Sequence, residues 1–179
     1  MKSSLEKARA MFSTALEMEA KGKSFYKKAI DDCTHAPGKE IFKHLMEEEG
    51  EHIRRIKALH DAIGTAGGWE SAGEKEAPAV RDVGLIFRQL AQRYGKETTA
   101  AAGDIEALDV GIDLERRSVA FYGDHLKKAT DPAEKEFLAK MVAEEKTHYA
   151  VLEDMKFYLT DPESWFLERE RGGLHAACY

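Results

Sequence analysis

Glu49-x-x-His52 and Glu145-x-x-His148 are the residues of this chain whose types and spacing could do chemistry. On a helix, residues three apart share a face. Each motif therefore places a carboxylate and an imidazole within reach of one cation. A mixed oxygen and nitrogen donor set suits iron or manganese; calcium takes oxygen only, and structural zinc favours thiolates. The flanking residues sharpen the point. Leu138, Met141, Glu145, His148, Leu152, Met155 and Leu159 advance by three and four residues in alternation, as the buried seam of a bundled helix does. A buried ionised carboxylate without a partner is costly, so a cation is expected opposite the glutamate.

Subtracting 96 from those positions gives Phe42, Leu45, Glu49, His52, Ile56, Leu59 and Ile63, the same seam with the same interruption. A second pair of segments obeys the same offset. Leu5, Ala8, Phe12, Ala15, Glu19, Gly22, Tyr26 and Ala29 correspond to Ala101, Asp104, Leu108, Gly111, Glu115, Ser118, Tyr122 and His125. Two seams with Glu and two with Glu-x-x-His are what a four-helix bundle needs to hold two metal ions. The expected ligands are Glu19, Glu49, His52, Glu115, Glu145 and His148. With carboxylates bridging, the ions would lie about 3.5–4 Å apart, leaving positions open for oxygen or peroxide. Tyr26 and Tyr122 follow their glutamates by two turns on the same faces. They are expected to donate hydrogen bonds to ligand carboxylates on neighbouring helices, the alternative being ordinary core aromatics. Gly22 and Ser118 are small and leave room for the ions and a diatomic ligand.

Other residues compete less well. Glu48, Glu51 and Glu144 lie near the motifs, but seam and repeat favour Glu49 and Glu145, so these three are expected in solvent. His125 is expected in the core or at the bundle end, and His35, His44, His60 and His175 on the surface. Asp104 reads as a capping or solvated residue near a helix start. Cys33 reads as a small buried hydrophobe. Trp165 and Phe166 are expected to cap the bundle or to form a dimer contact.

The elements that must position the ligands follow from punctuation. Residues 3–32 read as a helix ended by Asp31-Asp32 and Pro37-Gly38, and 38–63 as a second helix stopped at Gly64. The 64–79 stretch, with four glycines and Pro78, reads as a loop. Residues 80–94 read as a short amphipathic helix closed by Gly95, and 97–129 as the third long helix. Asp131-Pro132 restarts the chain into a fourth, 132–160, by a cap and a first-turn proline. Asp161-Pro162 repeats that signal before a short tail helix ended by Gly172-Gly173. Short connections make hairpins of 3–63 and 97–160, and the long 64–96 linker can cross the bundle from end to end. Residues 1–160 are thus read as one bundle domain and 161–179 as a C-terminal helix and tail.

Composition agrees with this reading. Of the 179 residues, 34% are charged and 9% aromatic, with four prolines, which suits an all-α protein. The net charge of −6 excludes a general affinity for nucleic acid. Four of the negative charges would be the seam glutamates, which two divalent cations would offset. No apolar run approaches membrane-spanning length and the N-terminus has no apolar signal core, so no membrane partner and a cytoplasmic location are expected. Cys33 and Cys178 are too few for a disulfide framework, and no Cys-x-x-Cys occurs.

At these residues the chain resembles the ferritin-like superfamily and, within it, the rubrerythrin family. The resemblance spans about residues 3–160. It rests on Glu19-x-x-Gly22-x-x-Phe25-Tyr26, Glu49-x-x-His52, Glu115-x-x-Ser118-x-x-Phe121-Tyr122 and Glu145-x-x-His148. It implies a ferritin-like four-helix bundle with one long crossover, holding two iron ions, with manganese or zinc as substitutes. Glu49 and Glu145 would bridge, and the tyrosines would bond to ligand carboxylates. The implied activity is two-electron reduction of hydrogen peroxide, or of dioxygen. The electrons would come from an external donor, a rubredoxin-like protein or a reductase, and a homodimer is expected. Two departures stand out. This sequence does not contain the four-cysteine rubredoxin-type domain of rubrerythrins proper. The family's extra glutamate, one turn after the third-helix ligand, is Ser118 here, which bears on peroxidase turnover. Two further functions compete: ferrous-iron binding and oxidation, and a bundle whose metals only hold it together.

Overall fold

The computed structural model describes residues 4–66, 69, 82–96 and 100–176. Among these the chain forms helices and no strand: α1 Ser4–Asp32, α2 Ala36–Ala66, α3 Val83–Tyr94, α4 Ala102–Leu126, α5 Pro132–Thr160 and α6 Pro162–Ala176. No described helix is long and apolar enough to cross a membrane.

Two apolar layers fix the topology. One gathers Ala8, Met11, Phe12 and Ala15 of α1, Ile56 and Ile63 of α2, Tyr122 of α4, and Leu138 and Met141 of α5. The other gathers Tyr26 and Ala29 of α1, Phe42 and Leu45 of α2, Leu108 of α4, and Leu152 and Met155 of α5. The chain therefore enters α1 and α5 at one layer, and α2 and α4 at the other. α1 packs on α2, and α4 on α5, as antiparallel hairpins. α2 runs parallel to α4, as the one-crossover arrangement requires. α3 contributes Val83, Phe87 and Ala91 to the second layer, so the crossover has traversed the bundle by then. The mid-seam acids and histidines fall between the two layers.

Helix limits follow local chemistry. Asp131 Oδ1 accepts from Ala133 N at 2.8 Å and Glu134 N at 3.3 Å, so α5 begins where Asp131-Pro132 predicts. Asp82 Oδ1 accepts from Leu85 N at 2.8 Å to start α3. Gly95 ends α3 at φ 69° with its N–H on Ala91 O at 2.9 Å, a left-handed position that favours glycine.

Four expectations are corrected. Pro37-Gly38 opens α2 instead of separating it from α1, because proline is tolerated in a first turn. α2 runs through Gly64 to Ala66; one interior glycine costs only about 1 kcal/mol. α4 is shorter than 97–129. It starts at Ala102 and ends at Leu126, where Ala129 N turns back to His125 O at 2.9 Å; residues 97–99 lie outside the described set. α6 continues through Gly172-Gly173 to Ala176. Of the expected 64–79 loop, 64–66 are helical and Trp69 is buried; the remainder, together with 80–81, Cys178 and the side chains of Leu5 and His175, lies outside the described residues.

Asp104 is buried, not solvated. Its Oδ2 accepts from Ala101 N at 3.0 Å and Thr34 Oγ1 at 2.7 Å, and its Oδ1 from Thr34 N at 2.9 Å. It caps its own helix and ties α4 to the α1–α2 turn. His35 is buried as well, its Nδ1 accepting from Gly38 N at 3.2 Å, so it is not a surface residue. Cys33 is buried as expected, and burial pushes its thiol up to about 11. Trp165 closes the bundle end. It is 2% exposed, packs on Phe87 and Tyr158, and donates from Nε1 to Asp154 Oδ1 at 2.8 Å.

Candidate metal centre

α1 brings Glu19, α2 brings Glu49 and His52, α4 brings Glu115, and α5 brings Glu145 and His148. None of the six is more than 3% exposed. The Glu-x-x-His spacing aims each pair at the bundle axis. His52 Nδ1 lies 2.9 Å from Glu19 Oε2, 3.0 Å from Glu145 Oε1 and 3.8 Å from Glu49 Oε2. His148 Nδ1 lies 3.7 Å from Glu145 Oε2, 3.8 Å from Glu115 Oε2 and 3.9 Å from Glu49 Oε1. The two imidazoles stack at 5.4 Å.

The donors divide into two groups that could each hold an ion. Glu19, Glu49 and His52 form one, and Glu49, Glu115, Glu145 and His148 the other, with ligand atoms within 4.8 Å of one another. Glu49 belongs to both. Glu145 faces His52 through one oxygen and His148 through the other. These two are the carboxylates whose positions allow bridging.

Glu115 Oε2, both oxygens of Glu145 and His148 Nδ1 are buried without a hydrogen-bond partner. Among the described residues no Lys or Arg pairs with Glu19, Glu49, Glu115 or Glu145. Buried donors left without partners are destabilising unless a cation meets them. The residues present fit a pair of metal ions with oxygen and nitrogen ligands.

The protonation pattern follows the same twofold logic. Burial, then the neighbouring carboxylates, push Glu49 and Glu145 well above the ordinary carboxylate range. Burial also pushes on Glu19 and Glu115, but hydrogen bonds from Glu49, His52 and Tyr122 bring Glu19 down to about 2, and His148, Glu145 and Tyr26 lower Glu115. Burial disfavours the charged form of His52, but the carboxylates around it outweigh that and raise it well above its ordinary value. Metal-free, the site thus holds protons where a metal pair would place positive charge.

The tyrosines act across the bundle. Tyr26 of α1 donates its hydroxyl to Glu115 Oε1 of α4, and Tyr122 of α4 donates to Glu19 Oε1 of α1. Burial and the nearby carboxylates raise both phenols, which keeps them protonated as donors. Tyr122→Phe is expected to keep the helical fold and to weaken metal binding about 10–100-fold, read by calorimetric titration. Unchanged affinity would reduce Tyr122 to a packing residue.

Gly22 permits close approach. A Cβ there would lie 3.3 Å from the Glu49 carboxyl carbon and 3.4 Å from its Oε1. Ser118 is half-buried one turn from Glu115, and His125 is half-buried against Phe121.

Glu144 corrects the expectation most. It is buried, not solvated. Arg55 grips it through Nη1 to Oε1 at 3.2 Å and Nη2 to Oε2 at 2.5 Å. His52 Nε2 stands 3.3 Å from its Oε2, outside hydrogen-bond angles but within charge-pairing distance. Burial raises Glu144, and His52 and Arg55 more than reverse that, to about 2. Nothing local to Glu144 signals this, because its partner Arg55 lies 89 residues away in the sequence. Glu51 pairs with Arg54 at the surface, and Glu48 is partly exposed.

Searches among curated proteins and among solved structures gave no match. The family model described as Rubrerythrin matches residues 11–156. That span includes every ligand candidate and both tyrosines. With six buried donors on four helices and a matching family model over most of its length, the chain belongs to the rubrerythrin family.

Proposed function

We propose that this protein is a non-haem di-iron oxidoreductase that reduces hydrogen peroxide, with dioxygen as the alternative oxidant. The observation that supports this reading best is the buried set of four carboxylates and two imidazoles, with ligand atoms left without partners. A pair of iron ions bound there supplies the two electrons that peroxide reduction needs. The chain's own residues do the rest. Glu19, Glu49 and His52 would hold one ion, and Glu115, Glu145 and His148 the other, with Glu49 and Glu145 shared. Tyr122 and Tyr26 fix the Glu19 and Glu115 carboxylates by hydrogen bonds, so the ligands are oriented before metal arrives. Gly22 keeps space beside the Glu49 carboxylate. The apolar layers on either side exclude bulk water. Converting one hydrogen peroxide to two waters consumes two electrons and two protons. The electrons are to be restored by an external donor, a rubredoxin-like protein or a reductase.

Ser118 favours a second reading. The position one turn past Glu115 offers a hydroxyl, not a seventh ligand carboxylate. A six-residue donor set also suits a protein that binds and oxidises ferrous iron. Rapid mixing of the di-ferrous protein with peroxide, then with oxygen, separates the readings. Fast oxidation by peroxide and slow oxidation by oxygen is the expected result. The reverse order, with more than two irons consumed per chain, supports iron handling. No oxidation by either leaves a metal-stabilised bundle.

A further inference from the structure

Beside the repeated ligands, the 96-residue offset that relates the two halves fails at a place that matters for the site. Arg55 of α2 corresponds to Val151 of α5, and Glu144 of α5 corresponds to Glu48 of α2. In the structure, Arg55 and Glu144 meet. Glu144 is 6% exposed, and the guanidinium fork takes both its oxygens. Such a fork fixes the plane of a carboxylate as well as its place. Beyond it, Glu144 Oε2 stands 3.3 Å from His52 Nε2, while His52 Nδ1 points the other way, to Glu19 and Glu145. Among the described residues, the related place in the other half has no such clamp. Val151 offers no charge, and Glu48 is partly exposed.

We propose that Glu144, clamped by Arg55, is a positioning carboxylate for His52 alone, so that the two metal positions of this duplicated site are unequal. This rests on the reading of the cluster as a two-ion site. A carboxylate facing Nε2–H leaves the Nδ1 lone pair directed at the ion, holds the ring's orientation and raises its basicity as a ligand. Among the described residues, no carboxylate clamped in this way stands at His148. The His52 position therefore depends on a residue of the opposite hairpin, and loosening the α2–α5 contact releases that ion first.

The test is anaerobic titration with Co2+, followed by visible absorbance and calorimetry, on the parent, Glu144→Gln and Glu48→Gln. The parent is expected to bind two ions per chain, which is the control for the site itself; a parent that binds none overturns the two-ion reading on which the inference depends. Given two ions in the parent, Glu144→Gln is expected to weaken one of them about 10–100-fold and to spare the other. Glu48→Gln is expected to match the parent. The double replacement Arg55→Met with Glu144→Met, which removes both buried charges together, is expected to show the same loss at one ion and covers the case in which Glu144→Gln does not fold. Equal affinities in Glu144→Gln and parent, equal weakening of both ions, or the same loss in Glu48→Gln would overturn the proposal.

Discussion

Glu145→Leu is expected to erase the thermal stabilisation that metal gives the parent while leaving the metal-free protein at least as stable. Glu145 is fully buried, and neither of its oxygens has a hydrogen-bond partner. Like Glu49, it faces both histidines, and it stands nearer to each. In the metal-free protein it is therefore a liability. Leucine of similar size removes an acid whose burial without a hydrogen-bond partner costs about 1–3 kcal/mol, while His52 keeps Glu19 and Glu144 beside it. In the loaded protein it is the opposite, because a shared ligand is lost and both positions open. Metal at a thousandfold excess over its Kd adds about 4 kcal/mol to the parent. For a chain of this size that corresponds to about 8–16 °C in Tm. Differential scanning calorimetry with and without ferrous ion measures both effects. A variant that keeps the parent's metal-dependent gain would count against Glu145 as a ligand. His148→Ala is expected to lose the gain as well, without the metal-free advantage, because alanine leaves a cavity.

The second large effect is a divergence with pH between metal-free and loaded protein. Glu49 and Glu145 are raised above their ordinary 4.5, and His52 above its ordinary 6.5. A group raised on folding stabilises the native state fully below its ordinary value and ceases to do so as pH rises through the folded value. Glu19 and Glu144, both lowered to about 2, act in reverse. Their contribution is complete above the ordinary 4.5 and is lost as pH falls toward about 2. From about pH 5 upward the lowered pair is already fully in place, so the metal-free protein is expected to lose stability as pH rises. Metal binding has the other slope. Glu49, Glu145 and His52 must give up their protons to serve as ligands. Where all three are protonated, the overall binding constant is expected to rise by up to about a thousandfold per pH unit. Tm measured against pH with and without metal should give curves that separate as pH increases, and metal addition should acidify a weakly buffered solution. Parallel curves with no proton release would contradict the protonation pattern of the site.

The fold and the cluster were legible for one reason. A duplicated seam with acids and imidazoles in apolar positions leaves little choice about which faces turn inward. All of Glu19, Glu49, His52, Glu115, Glu145 and His148 lie in one buried cluster, and the Tyr26 and Tyr122 hydroxyls reach the opposite hairpin's glutamates. α5 was legible to the residue because Asp131 and Pro132 encode its start locally. What could not be read was set by contacts far apart in sequence. Glu144 lies beside the seam and looks solvated until Arg55, 89 residues away, closes over it. Asp104 looks like a simple cap until Thr34 arrives from 70 residues away. His35 is buried because the turn into α2 folds Gly38 N–H onto its ring. The ends of α2 and α6 were misplaced because glycine is a weak breaker once a helix is supported by its neighbours.

Metal content is the most direct test of the central claim, that these six side chains share two cations in the bundle interior. Protein purified without added metal, analysed by elemental emission and titrated anaerobically with ferrous ion, is predicted to reach two ions per chain, one for each donor group, and to fall below two in Glu145→Leu. A parent that retains no metal and takes up neither ferrous, manganous nor cobaltous ion at saturating concentration would contradict it.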